Sequence, residues 1–200
     1  MRRFFQAVLG VALLSTAAFA NLPQDSYQVN YAANLAAGDS VVNVTNAGSV
    51  NGFDPTGDIC ANVYVFAEDQ QLIACCACPL TPNHLKTLSV QKDLISNTLT
   101  PGVPIGVTVA LVSSLPTAGA CNAATVNFGL IVPGLRAWST TLHAAPGGGF
   151  AVTETEYSSA TLSITEYRKL TGYCGFIQAI GSGFGICGSC RQGAAGAAKQ

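Results

Sequence analysis

From Ser40 to Tyr157 the chain runs in short stretches whose apolar and polar residues alternate, interrupted by turn residues. That two-residue period is the mark of half-buried β-strands. Ser40–Asn46 (SVVNVTN) is one such run, rich in β-branched residues. Ile59 to Phe66 is a second, and Gln71 to Ala77 returns from it across the polar turn Ala67–Gln70, which predicts a hairpin. Pro79 and Pro82 end the return strand. Leu85 to Val90 is short and alternating. Val103 to Val112 is the most apolar run and reads as a central strand. Leu135 to His143 and Gly149 to Tyr157 flank a Pro-Gly-Gly turn and predict a second hairpin. Turns are expected at Asn51-Gly52 and Asp54–Gly57, and Pro116 to Ala124 reads as a loop carrying Cys121. About seven strands at this spacing predict a mainly β fold, an immunoglobulin-like β-sandwich.

The period changes after residue 160. Ser163-Ile-Thr-Glu166 fits a capping box. Ile164, Tyr167, Leu170, Cys174, Ile177 and Ile180 then recur at helical spacing, predicting one C-terminal helix over about 162–180 that closes over the sandwich. Gly181-Ser-Gly183 stops it. Residues 21–39 are weakly patterned and read as an N-terminal arm. Residues 40–192 form the single expected domain, and the Gly/Ala-rich tail 193–200 is expected to be disordered.

The first twenty residues change the picture of where the protein works. Arg2 and Arg3 precede a short apolar core, and Ala18-Phe19-Ala20 supplies a small-residue cleavage site before Asn21. This is the layout of a secretory signal peptide, and a twin-arginine motif is not completed. Cleavage after Ala20 places the mature chain in the periplasm or outside the cell. No later segment is long and apolar enough to predict a membrane span. Removing Arg2 and Arg3 from the nine Lys and Arg leaves seven against ten Asp and Glu, a balance of −3. Such weak charge excludes a nucleic-acid footprint, and no cofactor motif is present.

Eight cysteines carry the most chemical information: Cys60, Cys75, Cys76, Cys78, Cys121, Cys174, Cys187 and Cys190. Cys75-x-x-Cys78 and Cys187-x-x-Cys190 have the spacing of zinc half-sites, but they stand too far apart for a zinc ribbon. Cys187-Gly-Ser-Cys190 has thioredoxin-like spacing without a following helix to lower a thiol pKa. An even count in an oxidising compartment predicts disulfides. Setting Phe66 opposite Leu72 in the hairpin places Cys60 opposite Cys78. Cys75 and Cys76 point to opposite faces and can take different partners. The expected scheme closes the early four and the late four each on itself, with Cys60–Cys78 in the first group and Cys174 bonded to Cys187 or Cys190 in the second. In the alternative, Cys75 or Cys76 reaches across to the late group.

No catalytic constellation emerges. His84 and His143 stand apart from serine or carboxylate partners at motif spacing. Gly38-Asp39-Ser40 matches the start of hydrolase motifs whose remaining residues are missing, and reads as a turn. Glu154 and Glu156 share one strand face and read as solvated. Asn51, Asp54 and Asp58 could cradle calcium but read as turn residues. Trp138 and the tyrosines form no regular stacking platform. Three stretches, DICANVYVF (58–66), ACCACPLTPNHLKTLSV (74–90) and GFGICGSCRQG (183–193), resemble a group of secreted, cysteine-rich bacterial proteins. The resemblance implies a bacterial envelope or extracellular setting and no activity. The expectation is therefore an exported, non-enzymatic structural or binding module with an extracellular or envelope partner, self-association included. The alternative is a cysteine-based metal-binding or thiol-redox protein.

Overall fold

A computed structural model describes residues 22–50 and 57–190. The expected signal peptide 1–20, the turn residues Asn51, Gly52 and Asp54, and the tail 193–200 lie outside the described residues. The rest forms two antiparallel sheets and one C-terminal helix. Sheet A runs β4 (Leu72–Leu80), β3 (Ile59–Ala67), β6 (Val107–Ser114), β1 (Tyr27–Ala32) and β9 (Ser158–Ser159). Sheet B runs β5 (Leu85–Ser89), β2 (Ser40–Asn46), β7 (Leu135–Ala144) and β8 (Phe150–Glu156).

Sheet A is buried on both faces, which explains why β3 and β4 read as nearly continuous apolar runs. Ile59, Ala61, Val63 and Val65 of β3 and Leu111 of β6 face sheet B, where they share one core with Val42, Val44, Leu88 and Leu135. Cys60, Tyr64 and Phe66 face the other way, onto the loop after β6 and the helix α1 (Ile164–Ile180). The molecule is thus three layers deep: sheet B, sheet A, then helix and loop. Each Leu or Ile removed from water in these layers contributes ~1.5–3 kcal/mol.

The seven expected strands are present with shifted ends. Sheet A also takes two strands that the pattern hid. β1 lies within the stretch 21–39 expected to be an arm. Its alternation is masked because a polar residue, Gln28, is buried. The Gln28 amide donates to the Leu135 carbonyl of sheet B at 2.6 Å and to Asp25 O at 3.0 Å, so it ties the two sheets together instead of facing water. β9 is too short for a period. The central strand β6 begins at Val107, not Val103. Pro101, Gly102, Pro104 and Gly106 break the run, and Val103 and Ile105 are exposed.

The helix is bounded as expected. Ser163 is its N-cap, its hydroxyl accepting from Glu166 N at 3.0 Å, and Gly181 closes it at φ +66°. Leu170, Cys174 and Ile177 form its buried stripe. Ile164 and Ile180, expected on that stripe, are the first and last residues of the helix and are exposed.

Candidate functional site: cysteine staples and the β7–β8 face

The hairpin β3–β4 sets the cysteine geometry, and one residue decides it. Phe66 pairs with Leu72, but Val65 pairs with Ala74, so Ile73 is an extra residue in β4. Beyond this bulge the register moves by one. Cys60 then lies opposite Pro79, and Cys78 opposite Ala61. A slip of one residue reverses the faces: Cys60 points to the helix side and Cys78 to the sheet B side.

The expected Cys60–Cys78 bond is therefore replaced by four others. Cys60 bonds Cys121, Cys75 bonds Cys174, Cys76 bonds Cys187, and Cys78 bonds Cys190. The Cα–Cα distances, 5.5, 5.8, 5.4 and 4.8 Å in that order, suit bridging. Every bond joins the early group to the late group, so the closed grouping fails and so does the pairing of Cys174 with the tail. The opposed faces of Cys75 and Cys76 hold. Cys75 reaches the helix on one side of sheet A, and Cys76 reaches the tail on the other.

Backbone contacts place the tail for these bonds. After Gly181 the chain rounds the outer edge of β4. Cys75 N–H donates to Gly185 O at 2.8 Å, and Cys187 N–H donates to Cys75 O at 3.4 Å. Asp93, in the π-turn Val90–Leu94, secures the far side. Its carboxylate accepts from Ser89 N–H at 2.7 Å and from the Ser189 hydroxyl, and its carbonyl accepts from Gly188 N–H at 2.7 Å. On the helix side, the Tyr167 hydroxyl donates to Val126 O at 2.5 Å, and the Gln178 amide donates to Asn122 Oδ1 at 2.9 Å. The Tyr64 hydroxyl, buried beneath, donates to Ala123 O at 2.7 Å. Burial pushes its pKa up. Burial does the same to Tyr157, with the Ser139 hydroxyl pulling weakly the other way. Tyr27 is pushed up to about 12 by burial and then by the Glu166 charge.

The remaining candidate residues stay dispersed. His84 is exposed in the turn before β5. His143 lies on β7, and its Nε2 is 2.8 Å from Thr153 Oγ1. Asp39, from Gly38-Asp39-Ser40, has a structural role: it accepts from the Ser89 hydroxyl at 2.5 Å and from Gln91 N–H at 3.0 Å. Glu154 and Glu156 do share the outer face of sheet B, as the alternation required. They border an open depression of about 340 Å³ with Arg136 and Trp138. Glu154 accepts from the Thr140 hydroxyl at 3.3 Å, and Arg136 pairs with Asp25 at 2.5 Å. Of the calcium candidates, Asn51 and Asp54 lie outside the described residues. No family model, curated protein or solved structure matches the chain.

Proposed function

We propose that the chain is an exported, non-enzymatic structural or binding module of the bacterial cell envelope or its exterior, freed of its signal peptide by cleavage after Ala20. The observation that carries this reading is the use of all eight cysteines in four disulfides that fasten loop, helix and tail to one hairpin. Such cross-linking belongs to oxidising compartments, in agreement with the leader-like first twenty residues. No helix among the described residues is long and apolar enough to cross a membrane.

The cysteine-based alternative is disfavoured by the same bonds. A thiol-redox C-x-x-C closes on itself when oxidised, whereas Cys187 and Cys190 take separate partners on β4. A metal site would need the thiolates that these bonds consume. We keep the immunoglobulin-like reading at the level of architecture, two antiparallel sheets face to face. The bridge between sheets and the buried Trp of antibody domains have no counterpart: no disulfide joins sheet A to sheet B, and Trp138 is half-buried on the outer face. Fractionation of the native host followed by N-terminal sequencing tests the reading. Export with a first residue of Asn21 supports it, and a cell-retained chain beginning at Met1 overturns it.

A further inference from the structure

Four strands form the edges of the two sheets, and three of them are protected. The β4 edge is covered by the tail at Gly185–Cys187 and by Leu99, whose N–H donates to Ile73 O at 2.9 Å. β9 has two residues, and β5 has five, carries Lys86 and runs straight into the π-turn. Short length, lysine and a covering segment are the usual devices that keep a sheet edge from pairing. β8 has none of them. It is seven residues long (FAVTETE), with no proline, no lysine and no shift in register against β7, and every residue is exposed.

Its unpaired backbone groups can be assigned. Ala145 N–H donates to Gly149 O at 3.2 Å, and Tyr157 N–H donates to Ala137 O at 3.0 Å. Odd-numbered residues of this strand therefore bond to β7, and alternation directs the N–H and C=O of Phe150, Val152, Glu154 and Glu156 outward.

We propose that β8 pairs antiparallel with β8 of a second copy of this chain, about a two-fold axis at Thr153, merging two four-stranded sheets into one of eight. The sequence fits itself in this register. Phe150 lies opposite the partner's Glu156 and Val152 opposite the partner's Glu154, so all four outward residues find hydrogen-bonding partners. No two carboxylates stand directly opposite, which an axis at Glu154 would force. The exposed Phe150 and Val152, 58% and 57% accessible, gain cross-strand cover. This deepens the module reading by naming a partner, yet it stands on edge geometry alone. An exported monomer would overturn it and leave that reading intact.

Sedimentation velocity of the oxidised mature protein, from about 1 µM to about 500 µM, should show a concentration-dependent dimer. Val152→Pro removes an outward N–H and no β7 bond, and should give a folded monomer with unchanged near-UV circular dichroism. Val152→Glu, facing the partner's Glu154, should weaken the dimer about tenfold, and Val152→Lys should tighten it several-fold. Adding Glu154→Lys to Val152→Glu should restore dimerisation. A monomer throughout the range overturns the proposal. So does a dimer that ignores Val152→Pro, or one weakened equally by glutamate and lysine, because either result places the contact elsewhere.

Discussion

Removing the bond between Cys78 and Cys190 tests how the staples share their effect. In isolation this bond closes a loop with a sequence separation of 112 residues, which loop entropy alone values at about 5 kcal/mol. The neighbouring bond Cys76–Cys187 changes that figure. With it intact, Cys78 and Cys190 stand two and three residues from a fixed junction, so their bond closes a loop of only about six residues, worth ~2 kcal/mol. Removing Cys76–Cys187 alone has a similar cost, because Cys78–Cys190 still holds the tail. Removing both frees the chain beyond Cys174 and should cost ~5 kcal/mol, more than the two single losses together. Paired Cys→Ala variants unfolded in guanidinium give these three values directly. A cost near 5 kcal/mol for Cys78–Cys190 alone, or a double variant no worse than either single, would refute the nested arrangement.

Other expectations follow from single residues. Gly185, at φ +77°, has a hypothetical Cβ position 2.8 Å from Ile177 Cγ2, whereas Gly181 at φ +66° has open space. Gly185→Ala should therefore cost ~2–4 kcal/mol and Gly181→Ala ~1 kcal/mol, and equal costs in urea titration would contradict the close approach. Burial raises Tyr64 and Tyr157, so above pH ~10 the unfolded chain has released protons that the folded chain keeps. Stability should be fully present below that pH and fall by up to ~3 kcal/mol per unit above it. Tyr157→Phe should flatten this slope, and a slope unchanged by that substitution would contradict the assignment. Replacing His84 and His143 together should leave any binding by the native protein largely intact. A binding activity abolished by either change would show that a histidine site exists.

The strands and helix were legible because burial on one face leaves a period, and β2, β7 and α1 keep theirs. β1 was not, since its buried Gln28 inverts the usual rule that polar residues face water. The cysteine pattern was half legible. Alternation separated Cys75 from Cys76, but no residue type announces a bulge at Ile73, and one inserted residue moved Cys78 to the other face. A usable signal was the spacing itself. Cys76-x-Cys78 presents two sulfurs on one strand face, and Cys187-x-x-Cys190 offers two across a comparable span. Asp93 and Gly185 carry no sequence mark, because their roles arise only when the tail rounds the β4 edge.

Non-reducing peptide mapping of the native protein, with fragmentation that cuts the backbone between Cys75, Cys76 and Cys78, reads the four cross-links themselves. The expected bonds are Cys60–Cys121, Cys75–Cys174, Cys76–Cys187 and Cys78–Cys190, with no thiol left to alkylate. A Cys187–Cys190 bond, or several alkylatable thiols in the freshly isolated protein, would contradict it and restore a redox or metal role for the cysteines.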